Sequence, residues 1–177
     1  MKKISIILSS LISINAFSHG YVSQPESRSD KCALHENSEC GGIQYEPQSL
    51  EANSNSFLSG GLDNHMGSAG IGRFSELDYQ SSDRWQKSNI KPGNYTFDWT
   101  FTANHRTSYF KFYITKQNWN PNRPLTVDEF DKTPFCELKY DGSQPPMKLA
   151  IQCLGKQGIP KRTGYQVIMA DWGVADT

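Results

Sequence analysis

The chain lacks a long apolar run: no stretch reaches the roughly 18 residues that a membrane span requires. It lacks a surplus of either charge, with 18 Lys and Arg against 18 Asp and Glu in 177 residues. A nucleic-acid binder would carry a basic excess, and so would a polybasic membrane-surface protein, so both classes are set aside. Its 14 Gly and 9 Pro fall short of collagen-like or low-complexity composition. No internal repeat, Walker-type glycine loop or Ser-His-Asp arrangement is visible. The four cysteines include no C-x2-C pair, which argues against a cysteine zinc site. Aromatic residues are not scarce. They make up 12% of the chain, enough for the core of one folded domain rather than a disordered segment.

The first eighteen residues read as an address. Lys2 and Lys3 form a positive start, residues 4–14 are mostly apolar, and Ala16-Phe17-Ser18 matches a small-x-small cleavage pattern. The sequence therefore predicts a secretory signal over residues 1–18, a secreted product, and a mature domain over residues 19–177. The mature chain would begin with His19, carrying a free amine and an imidazole on one residue. Secretion also places the four cysteines where disulfides persist. Three connectivities are open. Local pairing is expected: Cys32 with Cys40, which are close in sequence, and Cys136 with Cys153, which bracket an expected hairpin.

Residues 19–93 are polar, with scattered aromatics and room for short helical turns. From residue 94 the pattern changes. Tyr95, Phe97, Trp99 and Phe101 alternate with Thr96, Asp98, Thr100 and Thr102, as in a strand with one buried face. Phe110, Phe112 and Ile114 repeat the pattern against Tyr109, Lys111 and Tyr113. Met147, Leu149, Ile151 and Cys153 suggest a third strand, and residues 165–172 a fourth. Turn signals at Lys91-Pro92-Gly93-Asn94 and Asp141-Gly142-Ser143 separate them. The expectation is an all-β antiparallel sandwich. Residues 44–92 become a long surface-covering excursion, of a length that is usually functional. Trp99, Trp119 and Trp172 read as core residues on strand-like stretches, while Trp85 stays unassigned.

The histidines are His19, His35, His65 and His105. His105 follows the strongest strand, in Thr102-Ala103-Asn104-His105-Arg106, where a sandwich presents its sites. His35 and His65 read as ordinary loop residues. If His105 lies beside the mature terminus, the amine, the His19 ring and the His105 ring converge. A planar nitrogen set of this kind favours copper over zinc. An α-amine with a pKa near 7.7–8.0 yields its proton to copper at neutral pH. Carboxylates are plentiful, but spacing marks out no glycosidase pair.

The order of several short strings is specific. They are His19-Gly20-Tyr21-Val22; Gln44-Tyr45-Glu46-Pro47-Gln48-Ser49-Leu50-Glu51; Thr102-Ala103-Asn104-His105; Tyr113-Ile114-Thr115-Lys116 with Asn118-Trp119; Thr133-Pro134-Phe135-Cys136; and Trp172-Gly173-Val174-Ala175-Asp176-Thr177. Over residues 19–177 this order resembles the lytic polysaccharide monooxygenases of the bacterial and viral chitin-binding-protein type, auxiliary activity family ten. The resemblance implies an immunoglobulin- or fibronectin-III-like β-sandwich with a large loop region carrying short helices. It implies one copper ion in a histidine brace made by His19 and His105, with Ala103 crowding the axial position. Glu51 matches a glutamate that gates oxygen species and helps bind substrate. Tyr45, Glu46 and Asp176 match positions that contact the polysaccharide. The same two disulfides are implied. So is oxidative cleavage of crystalline chitin, with cellulose the alternative substrate and C1 the expected position rather than C4. O2 or H2O2 would serve as co-substrate with an external reductant, and the protein would be a monomer without nucleic-acid or membrane partners. Relatives continue past the Ala-Asp-Thr string with an aromatic-bearing run and a last strand. The sandwich is therefore expected to lack that strand, and the domain to be C-terminally incomplete. Two other readings are a non-catalytic chitin-binding module or adhesin, and a periplasmic copper carrier.

Overall fold

A computed structural model describes residues 19–175. The expected leader over residues 1–18 and the candidate residue Asp176 lie outside the described residues. Two antiparallel three-stranded sheets face each other. One has the order β1-β2-β5, with β1 His19–Gln24, β2 Tyr95–Ala103 and β5 Lys148–Cys153. The other has the order β4-β3-β6, with β4 Cys136–Lys139, β3 Thr107–Ile114 and β6 Ile168–Val174.

The alternation in β2 and β3 explains this arrangement. Phe97, Trp99 and Phe101 are buried on one face of β2, and Phe110, Phe112 and Ile114 meet them from β3. Phe97 stacks on Phe112 with ring centroids 4.3 Å apart, and Trp172 of β6 sits edge-on to Phe101 at 4.8 Å. Each such ring contributes roughly 1.5–3 kcal/mol by leaving water.

Both expected disulfides form, Cys32–Cys40 and Cys136–Cys153. The expected hairpin between the second pair does not. β4 pairs with β3 and β5 pairs with β2, so Cys136–Cys153 clamps one sheet to the other. Three further expectations need correction. Met147 is outside β5 and half-exposed, because β5 starts at Lys148. The last strand starts at Ile168 rather than at residue 165, since the Thr115 hydroxyl accepts the Val167 N–H at 3.0 Å in place of a ladder carbonyl. Trp119 is buried, but in a loop and not on a strand.

The outer face of β3 is not left to solvent. Tyr113 points away from the sandwich core yet is 1% exposed, because Phe57, Met66, Trp119, Leu125, Val127 and Phe130 cover it. That burial pushes the Tyr113 hydroxyl up to about 12. The excursion and the loop after β3 thus form a second small core over the sheet. A third surrounds the Cys32–Cys40 disulfide, where Ile43, Phe74, Leu77 and Trp85 are buried.

Arg28 ties that third core together. It opens the short helix α1, Arg28–Ala33, whose N-cap is Ser27. Its guanidinium donates to the Leu77 carbonyl at 2.7 Å and to the Gln80 side chain at 2.8 Å, and it lies 4.6 Å from the centre of the Trp85 ring. Gly67 lies against the same carbonyl, and a Cβ there would overlap Leu77 backbone and press on Arg28. Backbone cannot yield as a side chain can. Gly67→Ala is expected to cost about 3 kcal/mol, a drop of roughly 6–12 °C in Tm for a domain of this size. Gly72→Ala, with nothing near its Cβ, serves as the control in the same thermal melt and should leave Tm unchanged. Equal melting of the two variants would refute this packing.

Candidate metal centre

β1 and β2 run antiparallel, so the start of one strand meets the end of the other. His19 is the partner of Ala103, the last residue of β2. His105 follows two residues later in the short link to β3. The two histidines, distant in sequence, therefore reach the same end of the sandwich, and both are half-buried. A register irregularity falls between His19 and Gly20, and such a bulge re-aims the side chain beside it. Gly20 is required there, since a Cβ would lie 2.6 Å from the buried Phe101 ring.

The Tyr45 segment is brought to the same strand. The Gly20 N–H donates to the Gln48 carbonyl at 3.3 Å. Upstream, a 3-10 helix over Gly41–Tyr45 is anchored by the fully buried Ile43 and by Cys40 in its disulfide. This anchoring holds Tyr45 outward, 82% exposed, the most exposed large apolar side chain among the described residues. Glu46 follows, paired with Arg73 at 3.3 Å. Glu51 is half-buried at the rim of an open polar hollow of about 500 Å³, shared with Asn53, Ser56 and Leu62.

His35 and His65 stand elsewhere, in exposed loops. The His65 ring lies 3.3 Å from the Asp78 carboxylate. Among the described residues no three or more His, Cys, Asp and Glu side chains cluster to hold a metal. Gln48, Arg73 and Asn104 also shape this end, the last by donating to the Pro145 carbonyl. Gln48 and Asn104 lie within the strings quoted above but have no assigned role there, and no string includes Arg73, because each acts through a tertiary contact.

Residues 19–177 match the family model described as "Lytic polysaccharide mono-oxygenase, cellulose-degrading". The chain belongs to this family. Among lytic polysaccharide monooxygenases of known structure, one from Photorhabdus luminescens of auxiliary activity family ten is 40% identical, with TM-score 0.85 over 90% of this chain and 91% of that one. A Bacillus amyloliquefaciens CBM33 protein in complex with Cu(I) is 35% identical, with TM-score 0.74 over 90% of this chain and 93% of that one. The GlcNAc-binding protein A of Aliivibrio fischeri is 44% identical over 180 residues, covering 94% of this chain and 36% of that protein. The chain thus spans about a third of the length of the curated relatives it matches. Among the described residues no helix is long and apolar enough to cross a membrane.

Proposed function

We propose that this chain is the copper monooxygenase domain of a secreted protein and that it cleaves crystalline chitin by oxidation, at C1. The observation that carries the reading is the β1–β2 register, which sets His19 opposite Ala103 and at the same end as His105. Cleavage after Ser18 would turn the His19 nitrogen from an amide into an amine. The His19 amine and ring and the His105 ring would then hold one copper ion, a donor set suited to that metal. Bound there, copper would supply the redox chemistry by which O2 or H2O2, with an external reductant, attacks an otherwise inert C–H bond.

The remaining residues prepare that attack. Ala103, the strand partner of His19, would set its methyl group beside the brace. Glu51, at its polar hollow, would position co-substrate and a sugar hydroxyl. Tyr45 would lay its exposed ring against a sugar face, and Glu46, steadied by Arg73, would accept sugar hydroxyls. Asp176 would add a carboxylate to the same contact. Exposed residues suit a crystalline surface, whose chains do not thread into a cleft. Chitin is favoured by the relatives' name, which specifies GlcNAc, and by Tyr45.

The test is mature, copper-loaded protein incubated with β-chitin and a reductant. Aldonic-acid oligosaccharides are expected in the mass spectrum, with several-fold weaker chitin binding in Tyr45→Ala. Intact chitin beside bound copper would overturn the activity, and oxidised products from cellulose alone would change the substrate. A second reading, a non-catalytic chitin-binding module or adhesin, draws on the relatives' name because it states binding alone. That reading predicts reductant-independent binding and no oxidised product.

A further inference from the structure

The link that carries His105 is held at the carbonyl of each of its three residues. The Gln144 side chain donates to the Asn104 carbonyl at 3.3 Å. The Ala175 N–H donates to the Arg106 carbonyl at 2.7 Å, and the Arg106 side chain donates to the Gly142 carbonyl at 2.8 Å. Thr107 exchanges backbone hydrogen bonds with Gly142 and Ser143 at 3.0 Å each. The carbonyl of His105 itself accepts from the Thr107 hydroxyl at 2.9 Å. That hydroxyl accepts in turn from the indole N–H of Trp172 at 2.9 Å.

We infer that Thr107 and Trp172 form a two-step hydrogen-bond strut that sets the position of His105 for metal binding. Thr107 is fully buried, so its hydroxyl has no water to fall back on. A hydroxyl has one proton to give. Spent on the His105 carbonyl, it leaves an oxygen lone pair that Trp172 takes. The Trp172 ring cannot drift, because Phe101 and Phe110 pack against it at 4.8 and 6.3 Å. The chain of contacts therefore runs from the aromatic core, through one hydroxyl, to the main chain of the residue whose ring would bind copper. These are positioning residues, since neither reaches the metal or the sugar. Fixed supports of this kind matter because a binding constellation loosened by a fraction of an ångström loses its geometry.

The inference rests on the proposed copper brace, and the test separates the two. Wild type, Thr107→Val, Thr107→Ser and Trp172→Phe are produced as secreted protein and titrated with Cu(II). Affinity and the Cu(II) electron paramagnetic resonance spectrum are read alongside a thermal melt. Thr107→Val keeps the shape and removes both hydrogen bonds. It is expected to weaken copper binding by about tenfold or more, in line with other supports of metal ligands, and to shift the spectrum. Thr107→Ser should restore both readings. Trp172→Phe removes the donor and trims the ring packed on Phe101 and Phe110; it keeps the Thr107–His105 bond, so it should move both in the same direction by less, which also decides the matter if the valine variant does not fold. A wild type that binds copper, with Thr107→Val or Trp172→Phe giving the same affinity and spectrum, would overturn the strut and leave the brace standing. A wild type that binds no copper would overturn the brace, and the strut with it.

Discussion

His105→Ala is expected to abolish tight copper binding and chitin oxidation together while leaving the protein folded. Loss of a mere support of a metal ligand weakens binding about 10–100-fold. Loss of the ligand itself must exceed that, so the affinity should fall by more than roughly 100-fold. His105 sits half-buried in the link between β2 and β3, outside the three buried clusters. A change at such a position stays within about 0.5 kcal/mol, or roughly 2 °C in Tm. The checks are isothermal titration with Cu(II), product analysis from β-chitin and a thermal melt. Unchanged copper affinity would remove His105 from the centre, whatever happened to activity.

One extra residue left in front of His19 should be as damaging to oxidation, although it alters no side chain. The His19 nitrogen can join its own ring in gripping a metal as a neutral donor only if it is an amine. With a residue before it, that nitrogen is an amide, and its lone pair is delocalised into the neighbouring carbonyl. The new amine sits one residue further out, too far to share a chelate ring with the same imidazole. An Ala-His19 protein, its start verified by intact mass, is expected to give a changed Cu(II) electron paramagnetic resonance spectrum, because the amide nitrogen enters a copper site only as an anion, and to yield no detectable oxidised oligosaccharide. Proteolytic removal of the alanine should restore both. Oxidation at the wild-type rate by the extended protein would mean that the terminal amine plays no part.

The elements differ in how legible they were. β2 and β3 could be read because each buries one face, and a period of two residues survives in the sequence wherever this holds. β1 was missed. Of His19-Gly20-Tyr21-Val22-Ser23-Gln24 only Val22 is buried, and the register shifts at both ends of its pairing, so no alternation is left to see. Tyr113 was read as an outward residue, correctly in direction. Its burial comes from loop residues of two separate segments, which no local pattern relates to it. The expected hairpin between Cys136 and Cys153 failed for a similar reason. Sequence proximity indicated which cysteines would meet, but it carries no information on whether their strands share a sheet.

The sequence by itself determined the local matters: the alternating strands, the pairing of nearby cysteines, and the loop status of His35 and His65. The tertiary structure alone decided what stands next to what. It set His19 opposite Ala103, tied the Tyr45 segment to β1 through one hydrogen bond to Gln48, and ran a strut from Trp172 to the main chain of His105. The physical reason is that side-chain pattern is written residue by residue along the chain. Strand register and loop docking are instead settled by contacts between distant segments, once burial of the two aromatic faces has brought them together.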